Sequence, residues 1–204
     1  TIPSEQDKIH KLENIIGEQL VGCGFNEILN NSLTKTAYYT DLKTYSADTT
    51  VKVMNPLSAD LGVMRQSLLF GGLESIMRNA NRKNCNLRFF EFGNCYHYDA
   101  DKWSADAPIN AYRQERHLGL WVSGKRVEGS WAHPNEDSSF YELKAYVENV
   151  LARIGITSGM VVMENSTNDI FAKGMNIMTR GGKTIVEMGI VARKLQKQAD
   201  IASE

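Results

Sequence analysis

Apolar residues recur at helical spacing in three stretches of the chain. The first follows Ser4, which has Asp7 three residues on as in a capping box, and its stripe comprises Ile9, Leu12, Ile16, Leu20 and Cys23. A second helix is predicted over residues 67–81. A third begins after Ser139, which has Glu142 at capping-box spacing, and its stripe comprises Phe140, Leu143, Val147, Leu151 and Ile154. We expect each stripe to face a core.

Alternation with a period of two predicts the strands. Residues 86–98 are apolar or aromatic on both faces, which places this strand in the middle of a covered sheet. Shorter strands are predicted at 25–33, 51–53, 61–64 and 117–124, a short helix at 37–42, and exposed loops at 99–115 and 125–138. Three strands follow at the C-terminal end, two of them joined by a hairpin turn at 180–183. The pattern predicts an α+β fold with a mixed, mainly antiparallel sheet flanked by helices, in one domain over 1–204.

Composition excludes several classes of protein. Lys and Arg number 23 and Asp and Glu 24, so the chain has no global basic field for non-specific binding of nucleic acid. No apolar run approaches the roughly 20 residues of a membrane helix, so no membrane partner is expected.

The three cysteines, Cys23, Cys85 and Cys95, form no Cys-x-x-Cys pair, and we expect free thiols in a reducing, cytoplasmic compartment, with Cys95 buried.

Both ends of the sequence look like cut ends. The chain starts without a methionine or a signal peptide and stops at Ala-Ser-Glu, so we expect it to be part of a longer protein. If the sheet continues past Glu204, one of the hairpin strands, at 175–179 or 184–190, would have an open edge. Such an edge is expected to lower stability and to favour weak self-association.

Familiar catalytic motifs do not occur. The sequence has neither the Gly-x-x-x-x-Gly-Lys-Ser/Thr loop nor the Gly-x-Gly-x-x-Gly turn, and its four histidines are too far apart in sequence for metal-ligand spacing. No metal site is therefore expected. A basic cluster at one helix end comprises Arg78, Arg82, Lys83 and Arg88. A solvated face is the favoured interpretation, and a patch that faces RNA stays open as the alternative.

Two segments resemble motifs of the class II aminoacyl-tRNA synthetases. The run from Gly24 to Leu33, directly after a long helix, resembles motif 1, Gly-Phe-x-Glu-Val-x-x-Pro-x-Leu, with Asn31 in the place of the proline. The run Leu87-Arg88-Phe89-Phe90-Glu91-Phe92-Gly93, continuing to Asp99, resembles the first strand of motif 2, which ends Phe-Arg-x-Glu. The resemblance implies the class II fold.

Further segments resemble one member of that class, the bacterial phenylalanyl-tRNA synthetase β subunit. They are Asn55-Pro56-Leu57-Ser58, the run from Val63 to Leu69, the run from Arg88 to Gly93, and Phe140-Tyr141-Glu142-Leu143-Lys144. Ser139 and Ala145 depart from the Asp and Gly of the last motif. The resemblance covers nearly the whole chain. It implies a catalytic-like module that has lost its chemistry, with the editing domain upstream, the anticodon-binding domain downstream, and aminoacylation carried out by a separate α subunit.

The resemblance also assigns the residues of the degenerate site. In an active class II enzyme the motif 2 arginine grips the α-phosphate of ATP with a planar, always charged fork. His97 stands at that position and Asp99 at the position of the glutamate, and the third motif, Gly-x-Gly-x-Gly-x-Arg, is absent. We therefore expect no catalytic residue and no bound cofactor in this chain. ATP and magnesium would belong to the complete enzyme.

The same resemblance implies a partner surface. Motif 1 implies that residues 5–23 and 25–33 face the α subunit of a heterotetramer, with Phe25, Glu27, Asn31 and Arg65 as interface candidates and tRNA bound through the complete enzyme. For Arg65, a structural ion pair or an interface contact is favoured over ligand binding. Two alternatives stay open: a catalytically competent class II adenylate-forming enzyme, and a regulatory class II synthetase paralogue.

Overall fold

The structure is a computed structural model that describes residues 4–199 and 201. Its helices are α1 Glu5–Gly22, α2 Leu69–Ala80, α3 Phe140–Arg153 and α4 Arg193–Gln198. Its strands are β1 Asn26–Glu27, β2 Leu33–Thr34, β3 Val63–Met64, β4 Leu87–Tyr98, β5 Tyr112–Ser123, β6 Lys125–Val127, β7 Glu136–Asp137, β8 Val161–Asn165, β9 Phe171–Thr179 and β10 Thr184–Val191. Among the described helices, none is long and apolar enough to cross a membrane.

Strand β4 is the centre of the main sheet, as its two apolar faces predicted. The strand order is β1-β4-β5, with β1 parallel to β4 and β5 antiparallel along its full length. A second antiparallel sheet has the order β10-β9-β8, and two short pairs, β2-β3 and β6-β7, complete the architecture. The predicted α+β class with a mixed, mainly antiparallel sheet is confirmed.

Several predicted boundaries were wrong. Strand β5 begins at Tyr112, inside the predicted loop 99–115, because its polar first half pairs in register with the end of β4, where His97 lies opposite Arg113. The predicted strand at 25–33 is reduced to the two-residue strands β1 and β2. The short helix expected at 37–42 is a 3-10 turn at Thr36–Tyr38. The predicted loop 125–138 contains the β6-β7 pair.

The capping boxes predicted at the starts of α1 and α3 form to different extents. At α1 the capping box is complete, since the Ser4 hydroxyl accepts from the Asp7 amide and the Ser4 amide donates to the Asp7 carboxylate. At α3 only half of it forms: the Ser139 hydroxyl accepts from the Glu142 amide at 3.2 Å. The Glu142 carboxylate binds Arg88 of β4 instead of turning back to the cap.

The core lies on both faces of β4. On one face α1 and α3 pack against Phe90, and on the other α2 and the C-terminal helix α4 pack around Phe89 and Cys95. The predicted burial of Cys95 is confirmed. The α1 stripe is only partly covered, because Ile16 and Leu20 are buried while Ile9 and Leu12 are 40% and 45% exposed. The expectation that the whole stripe faces the core was wrong for its first half.

The C-terminal hairpin is confirmed, with Gly182 at a φ of 84° in the turn between β9 and β10. Strand β9 is paired on both sides, so of the two strands expected at an edge only β10 is at the edge of this sheet in the described residues. Register shifts near both ends of β10 interrupt its ladder. The expected continuation past Glu204 lies outside the described residues, and self-association stays a prediction.

Candidate functional site

His97 lies near the end of β4, directly opposite Arg113 of β5. Burial lowers the pKa of His97, and the positive charge of Arg113 lowers it further. The imidazole is therefore mostly neutral at pH 7, because its usual pKa of about 6.5 is already below that value. A neutral ring cannot grip a phosphate in the way that a guanidinium fork does.

Asp99 serves the turn that follows β4. Its carboxylate accepts a hydrogen bond from the amide of Asp101 and pairs with the Lys102 ammonium group at 2.8 Å. The hydrogen bond from Lys102 is the main cause of the lowered pKa of Asp99. All these contacts are local to the 3-10 turn at Ala100–Lys102, so the carboxylate caps this turn.

The sheet face on which His97 lies is filled by the chain's own side chains. The Trp121 indole lies beneath α2, where a Cβ on Gly72 would come within 2.0 Å of it and a Cβ on Gly119 within 2.3 Å. Cys95, two residues before His97 on the same face, is buried in this cluster with Tyr39. The tryptophan thus occupies the space that two glycines leave free, between α2 and the sheet.

The segment at 36–50 covers more of this face. The Tyr39 hydroxyl accepts a hydrogen bond from the Gln66 amide at 3.0 Å, and the Gln66 side chain donates to the carbonyl of Ser46. Burial raises the pKa of Tyr39 and that of Tyr45 to about 12, so both phenols stay protonated at neutral pH. The residues on this part of the sheet therefore form a packed core.

A sealed ion pair lies at the middle of the same strand. Arg65 Nη1 donates to Glu91 Oε1 at 2.6 Å, and the two side chains are 6% and 0% exposed. Arg65 Nε also donates to the carbonyl of Asn94, in the same strand as Glu91. A Cβ on Gly93 would come within 2.2 Å of the Arg65 guanidinium, so the glycine makes room for it. The pair joins the segment after β3 to the central strand.

Asn30 extends this network to the end of the motif 1-like run. Its side-chain amide donates to Glu91 Oε2 at 2.8 Å and its backbone amide to Glu91 Oε1 at 3.3 Å. Its carbonyl accepts from Arg65, and its side-chain oxygen accepts from the Ser75 hydroxyl of α2 at 3.0 Å. One asparagine thus connects two chain segments to the sealed pair.

The four interface candidates fall into two groups. Phe25 is 2% exposed and packs in the core beside α1 and α3, and Arg65 is sealed against Glu91. Their burial removes both side chains from the domain's surface, as the structural ion-pair interpretation of Arg65 anticipated. Glu27 and Asn31 are exposed, so a direct partner contact stays a prediction for these two alone.

Sequence reasoning missed the partners of Arg65. The signal was present, since Glu91 is a single carboxylate among aromatic residues in a strand predicted to be covered, and a buried carboxylate needs a cation or several donors. The basic cluster also divides in the structure. Arg88 pairs with Glu142 at 3.0 Å, whereas Arg82 and Lys83 stay exposed.

The profile of the family described as the phenylalanyl-tRNA synthetase β-chain CLM domain matches residues 1–204. The chain belongs to this family. Among similar proteins, the phenylalanine–tRNA ligase β subunit of Bacteroides thetaiotaomicron is 58% identical over 204 residues, and that of Bacteroides fragilis is 53% identical over the same length. The β subunit of Porphyromonas gingivalis is 46% identical over 198 residues, which is 97% of this chain.

The CLM domain spans about a quarter of the length of these relatives: 25% of the first two and 24% of the third. In solved structures its fold resembles that of the pyrrolysyl-tRNA synthetase of Desulfitobacterium hafniense. Two structures of that protein match with TM-scores of 0.65 and 0.62 at 18% and 15% identity, covering 95% and 94% of this chain and 62% of the other. The domain is thus a class II synthetase-like module of a β subunit, and neither alternative is favoured.

Proposed function

We propose that this CLM domain is a non-catalytic structural module that packs against the catalytic α subunit in the enzyme that joins phenylalanine to its tRNA with ATP. The observation that carries the proposal is the residue type at position 97, beside a sheet face that is packed as core up to Cys95. A histidine with a lowered pKa stands where the resemblance places the phosphate-gripping arginine, and Cys95, two residues before it, is buried in the same core cluster as Tyr39.

The proposal assigns chemistry and binding to the complete enzyme. ATP and magnesium would be held outside this domain, and tRNA would be bound through the assembled subunits. The relatives support a ligase of this kind, since each is a phenylalanine–tRNA ligase β subunit. We also propose the cytoplasm as its compartment, where the three cysteines would remain reduced.

The uncovered half of α1 supports a docking role. Ile9 and Leu12 belong to the same apolar stripe as the buried residues Ile16 and Leu20. They are exposed because the first half of the helix extends past the domain's own core. An apolar stripe that extends beyond the domain's own core favours contact with another surface. The α subunit is the partner proposed for it.

Catalytic inactivity is tested in the assembled enzyme. The full-length β subunit carrying His97→Ala, combined with α, should retain phenylalanine-dependent ATP–pyrophosphate exchange within about twofold of the wild-type rate, because no transition-state contact is lost. A large loss of exchange with unchanged subunit association would show that position 97 takes part in the reaction, and would overturn the non-catalytic assignment.

The docking role is tested on α1. Ile9→Asp and Leu12→Asp in the full-length β subunit should each weaken binding to α about tenfold or more, as loss of a buried apolar contact does at other interfaces. Asn14→Asp is the matched control, since it adds the same charge at an exposed position on the opposite side of the helix. Equal affinities for all three variants would place the interface elsewhere.

A further inference from the structure

Strand β8 is the outer strand of the C-terminal sheet, and one of its edges has no neighbouring strand in the described residues. It pairs with β9 in unbroken register along all of its 5 residues. Just past the strand, the Ser166 amide donates to the carbonyl of Gly174 at 3.0 Å and continues the ladder in the same register. The backbone of β8 is therefore paired on one side only.

The bond from Ser166 shows which backbone groups of β8 point away from β9. In an antiparallel pair, residues that bond to the neighbouring strand alternate with residues whose N–H and C=O point the other way. Since Ser166 bonds to the β9 side, Val162 and Glu164 do so as well, whereas Met163 and Asn165 point outward. In the part of the chain that the structure describes, neither outward amide donates a hydrogen bond to another segment.

The side chains of β8 do not protect this open edge. Natural edge strands are kept from pairing with other chains by lysines, prolines, bulges or a very short length. The sequence of β8, residues 161–165, is Val-Val-Met-Glu-Asn, with one charged residue and neither lysine nor proline. Val162 and Met163 are 44% and 38% exposed. An apolar edge with unpaired backbone groups is suited to receive a further strand.

The other outer strands of the two main sheets differ from β8. Strand β1 has only 2 residues, and β10 is interrupted by register shifts near both of its ends. Strand β5 begins with a polar half that includes Arg113, Glu115 and Arg116. Each of these three strands thus has a feature that discourages further pairing. Among the outer strands of the described sheets, β8 is the one without such a feature.

The geometry and the length of the relatives indicate what covers this edge. An extended segment fits, because a strand supplies backbone donors and acceptors at the spacing of Met163 and Asn165. The domain spans 25% of its Bacteroides relatives, so about three-quarters of such a β subunit lies outside it. A segment of the same chain is present at high effective concentration as soon as the domain folds. A separate chain has to be met by diffusion, and until then an uncovered apolar edge is a site of aggregation.

We infer that β8 is covered, in the full-length β subunit, by a strand from another part of the same chain. This strand forms backbone hydrogen bonds with Met163 and Asn165, and its apolar side chains pack beside Val162 and Met163. The inference goes beyond the proposed function, because it concerns a contact within the β subunit and does not require the α subunit.

Hydrogen exchange in the assembled enzyme, resolved to single residues, tests whether the edge is covered. The amides of Met163 and Asn165 should exchange at least about tenfold more slowly than in an unstructured peptide, as hydrogen-bonded amides do. The amides of Val162 and Glu164 are the internal control, because β9 protects them in either case. Protected control amides together with unprotected outward amides would overturn the inference.

A photo-crosslinking residue identifies the segment that covers the edge. We place p-benzoylphenylalanine at the position of Val162 in the full-length β subunit and assemble it with α. The expected product is a crosslink to a β-subunit peptide outside this domain. Mixing isotopically labelled with unlabelled β subunits lets mass spectrometry separate a crosslink within one chain from a crosslink between two copies.

The position of Ile109 is the matched control for the crosslink, because it is another exposed aliphatic residue, in the turn before β5. The same photo-crosslinking residue there should not reach the peptide that position 162 reaches. A crosslink from position 162 to α, a crosslink between two β copies, or no crosslink would each overturn the inference.

The inference and the proposed function fail separately. If α does not dock on this domain, the crosslink from position 162 is still read on the β subunit by itself. If that crosslink does not lead to the same chain, the cover of β8 is wrong, while the effect of the α1 variants on binding to α is unchanged.

Discussion

The middle and the end of strand β4 use charge in opposite ways. At the middle, Arg65 and Glu91 meet at 2.6 Å with side chains that are 6% and 0% exposed. Near the end, Arg113 and Glu115 meet at 3.4 Å with side chains that are 63% and 41% exposed, beside a half-buried imidazole. The difference shows that the buried ion pair of this domain connects parts of the fold to one another. The region where the class II resemblance places phosphate binding has only charges that water screens.

A third pair lies between these extremes. Arg88 and Glu142 meet at 3.0 Å with side chains that are 27% and 5% exposed, and they connect β4 to the first turn of α3. The Tyr146 hydroxyl lies 3.4 Å from the same carboxylate oxygen, whereas Glu142 Oε2 is buried without a hydrogen-bond partner. The three pairs form a series of decreasing burial. A substitution in each pair tests whether burial decides how much the pair contributes to stability.

The largest effect is expected at the sealed pair. Glu91→Gln leaves the Arg65 guanidinium buried without its counter-charge, so the free energy of unfolding should fall by about 3–5 kcal/mol. Urea denaturation measures this loss. Glu115→Gln, at the exposed pair, is the matched control and should change the free energy by no more than about 1 kcal/mol. Equal losses would show that the burial of the pairs does not decide their contribution.

An intermediate effect is expected at the pair that holds α3. Arg88→Met keeps an apolar stem but leaves the buried Glu142 carboxylate with Tyr146 alone, which should cost about 1–3 kcal/mol of unfolding free energy. Replacing both partners, as in Arg88→Met/Glu142→Leu, should recover part of the loss, because no buried charge is then unpaired. A double variant that is less stable than the single one would contradict this account.

A small effect on stability, with a clear effect on titration, is expected for Arg113→Met. The free energy of unfolding should change by at most about 1 kcal/mol, since the pair is exposed. The pKa of His97 should rise, because the Arg113 charge is one of the causes that lower it. Titration of the imidazole by NMR measures the shift. An unchanged pKa would assign the lowering to burial alone.

The smallest expected effect is the contribution of His97 to the pH dependence of stability. Its pKa is lowered on folding, so the unfolded chain binds a proton more readily than the folded one. Stability is therefore full above the unfolded pKa of about 6.5 and decreases as the pH falls through the lowered folded value. His97→Gln should remove this component from denaturation midpoints measured between pH 5 and pH 7.5. An identical slope in the variant would show that other groups account for it.

Local signals in the sequence determined much of the fold. The Ser4–Asp7 box, the hairpin turn at 180–183 and the central place of β4 were readable, because short-range hydrogen bonds, glycine conformations and side-chain periodicity depend on neighbouring residues alone. The departures at His97 and Asp99 were also visible in the sequence. The absence of a guanidinium at position 97 follows from the residue type and can be seen without a structure.

The tertiary structure decided which groups meet. The polar start of β5 became strand because the end of β4 offered unpaired backbone groups, and this overrode the loop composition of the segment. Arg65 pairs with Glu91, which is 26 residues away in the sequence. Asn30 donates to the same carboxylate, 61 residues away in the sequence. The Glu142 carboxylate binds Arg88 instead of its own helix cap, because a partly buried guanidinium and a buried carboxylate form a stronger, charge-assisted hydrogen bond than a carboxylate and a peptide amide. Such choices depend on distances through space, which a linear pattern of apolar and polar residues does not contain.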